Sequence, residues 1–148
     1  MTNKAVIGWS EYVSFPDWGI EGIKAKIDTG ARSSALHVEN LEHHDDGFVS
    51  FDVILHRKKQ NQQRHVRTRA VKTARVRSST GHYSERYFVK ARMLLGPISK
   101  EIEISLVSRG DMLFRMLIGR KALESDFVVD VCRRNAVTAR PRRRKRKK

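Results

Sequence analysis

Along much of this chain, apolar and polar residues alternate. Val49, Phe51, Val53 and Leu55 interleave with Ser50 and Asp52, and Ile102, Ile104 and Leu106 interleave with Glu101, Glu103 and Ser105. Tyr87, Val89, Ala91 and Met93 alternate with Arg86, Lys90 and Arg92, although Phe88 blurs the pattern. A period of two puts one side of a strand on a core and the other in solvent. Weaker strands are predicted from Ala5 to Trp9, Ile23 to Ile27, Val66 to Val76 and Phe127 to Val131. Turn signals fall at Asp45-Asp46-Gly47, Thr80-Gly81, Leu95-Gly96-Pro97 and Arg109-Gly110-Asp111. One short helix is expected, from Arg120 to Ser125. Many short strands with polar turns predict an all-β domain, either a small closed barrel or a sandwich.

Size and charge refine this picture. The chain has 148 residues and 39% hydrophobic content, which suits one folded domain. Its formal net charge is +15, and the excess is clustered. Arg57 to Arg77 holds nine Lys/Arg and no acid, and Arg133 to Lys148 holds ten Lys/Arg and no acid. The rest of the chain is slightly acidic. Clustered cations gain by releasing counterions from a polyanion, so a polyanionic partner is expected: RNA, DNA or an acidic peptide. The expected organisation is a domain over residues 1–132 and a disordered basic tail over 133–148. No apolar run reaches membrane-spanning length, and the segment broken by Glu11 lacks the apolar core of a secretory signal. Cys132 is the single cysteine, so no intrachain disulfide can form, and a cytoplasmic location is expected.

Candidate chemistry centres on a strand that runs through Ile27 into Asp28-Thr29-Gly30, then Ala31-Arg32-Ser33-Ser34 and the pair Ala35-Leu36. The tripeptide alone reads equally well as a turn after a strand. A second segment, Met116-Leu117-Ile118-Gly119-Arg120-Lys121-Ala122-Leu123, adds an apolar run, a Gly and a short helix opening with Arg. In this order the two segments resemble the retropepsin-like aspartic peptidases, and the stretch from Arg77 to Leu95 has the position of that family's hairpin flap. Lys26 to His37, Ser79-Thr80-Gly81-His82, Glu85-Arg86 and Arg109 to Met112 further resemble a bacterial RimB-like subgroup, also labelled a putative ATP-dependent zinc protease.

The resemblance implies a small closed retropepsin-like barrel with one short C-terminal helix. It implies catalysis by Asp28 with Thr29 and Gly30, and substrate contacts from Arg32, Ser33, His37, Ser79, Gly81, His82, Arg86 and Arg120. Such peptidases hold two carboxylates that share a proton, one acting as base on water and the other as acid. One Asp-Thr-Gly per chain therefore requires a homodimer with Asp28 from each protomer at a two-fold axis. The implied reaction is hydrolysis of glutamate-rich tails, as in glutamate trimming of a ribosomal protein. The alternative is a basic RNA- or ribosome-binding β-barrel without hydrolytic activity. Arg32 stands where viral members carry an acid that pairs with the Arg after the late Gly. Arg120 is then expected either to pair elsewhere, with Asp126 or Glu124, or to face an acidic ligand together with Arg32.

Other features change little. His37, His43, His44, His56, His65 and His82 show no H-E-x-x-H spacing, and no phosphate-binding G-x-x-x-x-G-K-[ST] loop occurs, so neither metal nor cofactor is expected. A metal-dependent hydrolase is a third, weaker reading. Arg109-Gly110-Asp111 reads as a turn. Trp9 and Trp18 read as core residues rather than base-stacking platforms. The Arg57 to Arg77 segment reads as a solvated hairpin or, with more weight, a polyanion contact.

Overall fold

The alternating runs become the walls of a barrel in a computed structural model that describes residues 3–55, 62–77, 80–108 and 113–139. Ten strands occur among these residues: β1 (Ala5–Gly8), β2 (Ser10–Phe15), β3 (Ile20–Ile27), β4 (Ser34–His43), β5 (Phe48–Ile54), β6 (Gln63–Arg77), β7 (Tyr83–Leu95), β8 (Ile98–Val107), β9 (Met116–Ile118) and β10 (Phe127–Asp130). The predicted helix is α1 (Arg120–Leu123). Eight strands form one sheet in the order β2-β3-β9-β4-β5-β6-β7-β8, and pairings of β4 with β8 and of β2 with β7 close it. The all-β expectation is therefore met.

The inward residues of each strand meet in a single core. Val49, Phe51, Val53, Val89, Ala91, Met93, Ile102, Ile104 and Leu106 are all buried in it, as the period of two requires. Trp18 packs on Phe15 and Phe51, and Trp9 meets Phe114 edge-on, so both tryptophans serve packing. Gln63–Arg77 is one long strand paired with β5 and β7 rather than a solvated hairpin. Residues 56–61 and Arg109-Gly110-Asp111 lie outside the described residues. Among the described residues no helix is long and apolar enough to cross a membrane.

The alternation rule does not locate three of the strands. β4 carries Leu36, His37 and Val38 buried in succession, so both of its faces are covered there, while β8 and β9 pair with its first half and β5 with its second. A strand covered from several sides loses the alternating signature. β9 is only three residues long. β2 contains Glu11, which reads as a break in sequence but is fully buried.

Glu11 also holds residues beyond Cys132, the expected end of the domain. The chain continues past that point and straps back across β1 and β2. Arg133 O accepts from Trp9 N, and Asn135 N donates to Ser10 O, each at 2.8 Å. Glu11 Oε2 accepts from Gly8 N at 2.7 Å and Ala136 N at 2.8 Å. Its Oε1 accepts from Thr138 N at 3.2 Å, Thr138 Oγ1 at 2.6 Å and, more loosely, Val137 N at 3.4 Å. Gly8 is required beneath this crossing, since a Cβ there would lie 2.4 Å from Arg133 O. The folded body thus reaches residue 139, and only residues 140–148 of the expected tail lie outside the described residues.

Candidate active site

Three strands converge to present Asp28. β3 ends at Ile27, and β9 runs parallel beside it with Ile27 opposite Ile118. β9 also pairs antiparallel with the start of β4, Ala35 opposite Leu117. This wedge lets Asp28 N donate to Ile118 O at 2.8 Å. The loop then closes on itself: Gly30 N donates to Asp28 Oδ1 at 3.0 Å, and Ala31 N to Asp28 O at 3.2 Å. An Asp side chain that accepts from the backbone two residues on is a common turn device. Here it also fixes the orientation of the carboxylate, which is half-buried at the surface.

The Gly119-Arg120 segment locks the same loop from the other side. Arg120 N donates to Ala31 O at 2.8 Å and Lys121 N to Arg32 O at 3.1 Å. Gly119 N donates to Ser34 Oγ at 3.1 Å, and Ser105 Oγ donates to Ser34 O at 3.1 Å. Gly119 has no room for a side chain, since a Cβ would sit 2.5 Å from Ser33 O and 2.9 Å from the Arg32 carbonyl carbon. Gly119→Ala must push the loop aside, and we expect it to cost about 1–3 kcal/mol of stability, as overpacking does. A thermal melt checks this, and a wild-type melting curve would sink the locking argument.

The loop brings together Asp28, Thr29, Gly30, Arg32, Ser33 and Arg120. Arg120 does not pair with Asp126 or Glu124. Its Nη1 donates to Thr29 O at 3.0 Å, while Asp126 is taken by Lys100 at 2.6 Å. Arg32 is exposed, and its guanidinium has no ion pair or hydrogen bond among the described residues.

Other expected contacts lie elsewhere. His37 is inside the fold, 1% exposed, with Nε2 3.0 Å from Glu39 Oε1. The ring is enclosed on β4 between its neighbours. Gly81 and His82 occupy the turn of the β6–β7 hairpin, with Gly81 at φ +85°, and Arg86 pairs with Ala74 within it. No hydrogen bond joins these three to the Asp28 loop among the described residues. Ser79 lies outside the described residues. Further down the hairpin, Tyr87 stacks on His43 at 5.2 Å and donates to Glu85 Oε2 at 3.0 Å. The Glu85 carboxylate raises the Tyr87 pKa above the usual phenol range, so the hydroxyl stays a donor. Sequence reasoning did not single out Lys121, Ser34 or Ser105, which act on the loop through backbone and hydroxyl bonds. Among the described residues no group of three or more His, Cys, Asp or Glu is arranged to hold a metal ion.

Comparison with known proteins adds an independent line. The family model for RimB-like proteins, described as the retropepsin-like aspartic endopeptidase RimB, matches residues 6–140. A probable α-L-glutamate ligase from Shewanella pealeana is 34% identical over 133 residues, covering 86% of this chain and 29% of the ligase. Another from Parasynechococcus marenigrum is 33% identical over 135 residues, covering 88% of this chain and 28% of the ligase. The chain thus spans less than a third of the length of these curated relatives. A crystal structure of a Legionella pneumophila protein of unknown function (DUF785) superposes with a TM-score of 0.74. It covers 91% of this chain and 99% of its own at 23% identity, which is a likeness of fold.

Proposed function

The chain belongs to the RimB-like family of retropepsin-like aspartic endopeptidases, and from that premise we propose that it is an aspartic endopeptidase that works as a homodimer. The observation that carries this reading is the Asp28 carboxylate, held at the surface by its own loop and by Gly119-Arg120. Each protomer supplies one such group, so two protomers must meet for two carboxylates to face each other. Two carboxylates that close cannot both ionise easily. The ionised Asp28 takes a proton from water as the water attacks the peptide carbonyl, and the protonated Asp28 donates to the leaving nitrogen.

The proposed substrate is a protein with a glutamate-rich tail, such as a ribosomal protein so modified. Two facts support it. Arg32 presents an uncommitted guanidinium four residues after Asp28, and guanidinium groups clamp carboxylates in bidentate fashion. The similar relatives are named as probable glutamate ligases, which ties this kind of domain to glutamate chemistry. Ser33, Gly81, His82 and Arg86 are the further proposed substrate contacts. The test is mass spectrometry of an oligoglutamate-tailed protein after incubation with the enzyme, with a neutral-tailed protein as control. Shortening of the acidic tail alone is expected, and Arg32→Gln should raise KM about tenfold, the loss of one charge-assisted clamp. Equal cleavage of both tails would remove the substrate assignment.

One observation favours a second role, contact with rRNA or another polyanion. Arg67 and Arg69 both lie over the Phe48 ring, at 4.3 and 4.7 Å, on a strand without acidic residues of its own, and Arg67 also pairs with Asp46 at 2.8 Å. Cations held in place over a ring suit a phosphate backbone. RNA binding measured against salt should show a steep log–log slope that Arg67→Ala with Arg69→Ala reduces by about 1–2, since each neutralised phosphate contributes about 0.7–0.9. A salt-independent affinity would exclude this role.

A further inference from the structure

A groove of about 270 Å³ opens beside the Asp28 loop, between β7, β8 and α1. Ser33 forms one wall, and Lys121, whose amide is tied to Arg32 O, forms another. The lining carries both signs of charge. Lys90 comes from β7 and Lys121 from α1, while Glu101 and Glu103 come from β8 and Glu124 from the end of α1. Ile102 and Ala122 supply a buried apolar floor.

These charges do not satisfy one another. Glu103 is neutralised from outside the groove by Lys72, whose Nζ lies 3.3 Å from Oε1. Lys90, Lys121, Glu101 and Glu124 form no ion pair among the described residues, either mutually or with neighbours. Two ammonium groups and two carboxylates thus line one small groove without pairing. A purely anionic ligand would meet the glutamates, and a purely cationic one the lysines. A ligand carrying both signs satisfies both sets through charge-assisted hydrogen bonds. The volume lies just below the usual range for drug-sized ligands, so it suits a single amino-acid residue.

We propose that this groove binds a free α-amino acid as a zwitterion. Its carboxylate lies against Lys90, Lys121 and the Ser33 hydroxyl, its ammonium against Glu101 and Glu124, and its methylenes on Ile102 and Ala122. Hydrolysis of the last peptide bond of a tail at Asp28 frees such an amino acid, so the groove is placed to hold it as the leaving product. That second role rests on the peptidase reading, whereas the binding does not.

The test follows backbone amide NMR signals of the full chain while L-glutamate is added up to tens of millimolar. Signals of Ser33, Lys121 and Ala122 should shift saturably. N-acetyl-L-glutamate, which lacks the ammonium, and 1-aminobutane, which lacks the carboxylate, should bind at least about tenfold more weakly. Lys121→Gln and Glu101→Gln should each weaken L-glutamate about tenfold and leave distant signals in place. The proposal is overturned if the shifts do not saturate, if N-acetyl-L-glutamate binds as well as L-glutamate, or if both variants bind like the wild type. Because activity is not measured, a failed peptidase assignment leaves the outcome readable.

Discussion

Asp28→Asn is expected to reduce hydrolysis of an oligoglutamate-tailed protein by roughly 10²–10⁴-fold or more, since in the proposed mechanism it removes the group that moves protons to and from the reacting atoms. The fold should survive. An Asn side chain keeps an oxygen that can accept from Gly30 N, and the position is half-buried in a loop pinned through backbone groups. Stability should therefore stay within about 0.5 kcal/mol of the wild type. The proposed dimer gives a stronger form of the same experiment. When excess Asp28→Asn protein is mixed with wild type and subunits exchange, most wild-type chains acquire a partner without a carboxylate. Their activity should fall with the fraction of mixed dimers. If wild-type chains keep full activity in that excess, the two carboxylates are not shared, and the proposed mechanism is wrong.

Glu11→Ala should destabilise the fold by about 3–5 kcal/mol. The carboxylate is 0% exposed and accepts from the amides of Gly8, Ala136, Val137 and Thr138 and from the Thr138 hydroxyl. Truncation leaves these donors facing a cavity in place of an acceptor, and buried unsatisfied groups are expensive. For a domain of this size the melting temperature should fall on the order of 10 °C. Hydrogen exchange of the amides at 136–138 should rise with it, because the strap loses its clasp. Glu11→Gln keeps one oxygen but turns an NH2 toward donors, so it should fall between the two. A Glu11→Ala protein that melts like the wild type would show that the strap is held by Val137 packing and the Arg133 and Asn135 backbone bonds alone.

The two sites differ in how readable they are. Asp28 is legible because its motif is contiguous: strand, acid, Gly and small polar residues follow one another in the sequence. Its partner segment is legible by type, but the role of Arg120 is not. A guanidinium 91 residues away in sequence could meet Asp126, Glu124 or a ligand, and only the closure of β3, β9 and β4 brings it to Thr29 O. His37 lies within a motif that implies a ligand contact, yet the neighbours of β4 enclose it.

Taken by itself, the sequence determined what local rules control. Alternation set most of the strands and their inward faces, glycine and aspartate set several turns, and Asp28 was marked as the candidate acid. The tertiary structure alone decided which polar residues belong inside. Glu11 looks like a surface charge because its donors at 136–138 lie more than 120 residues away in sequence. The cost of burying a carboxylate depends on the donors that meet it, and those donors exist only once the chain has closed its barrel and laid its strap across it.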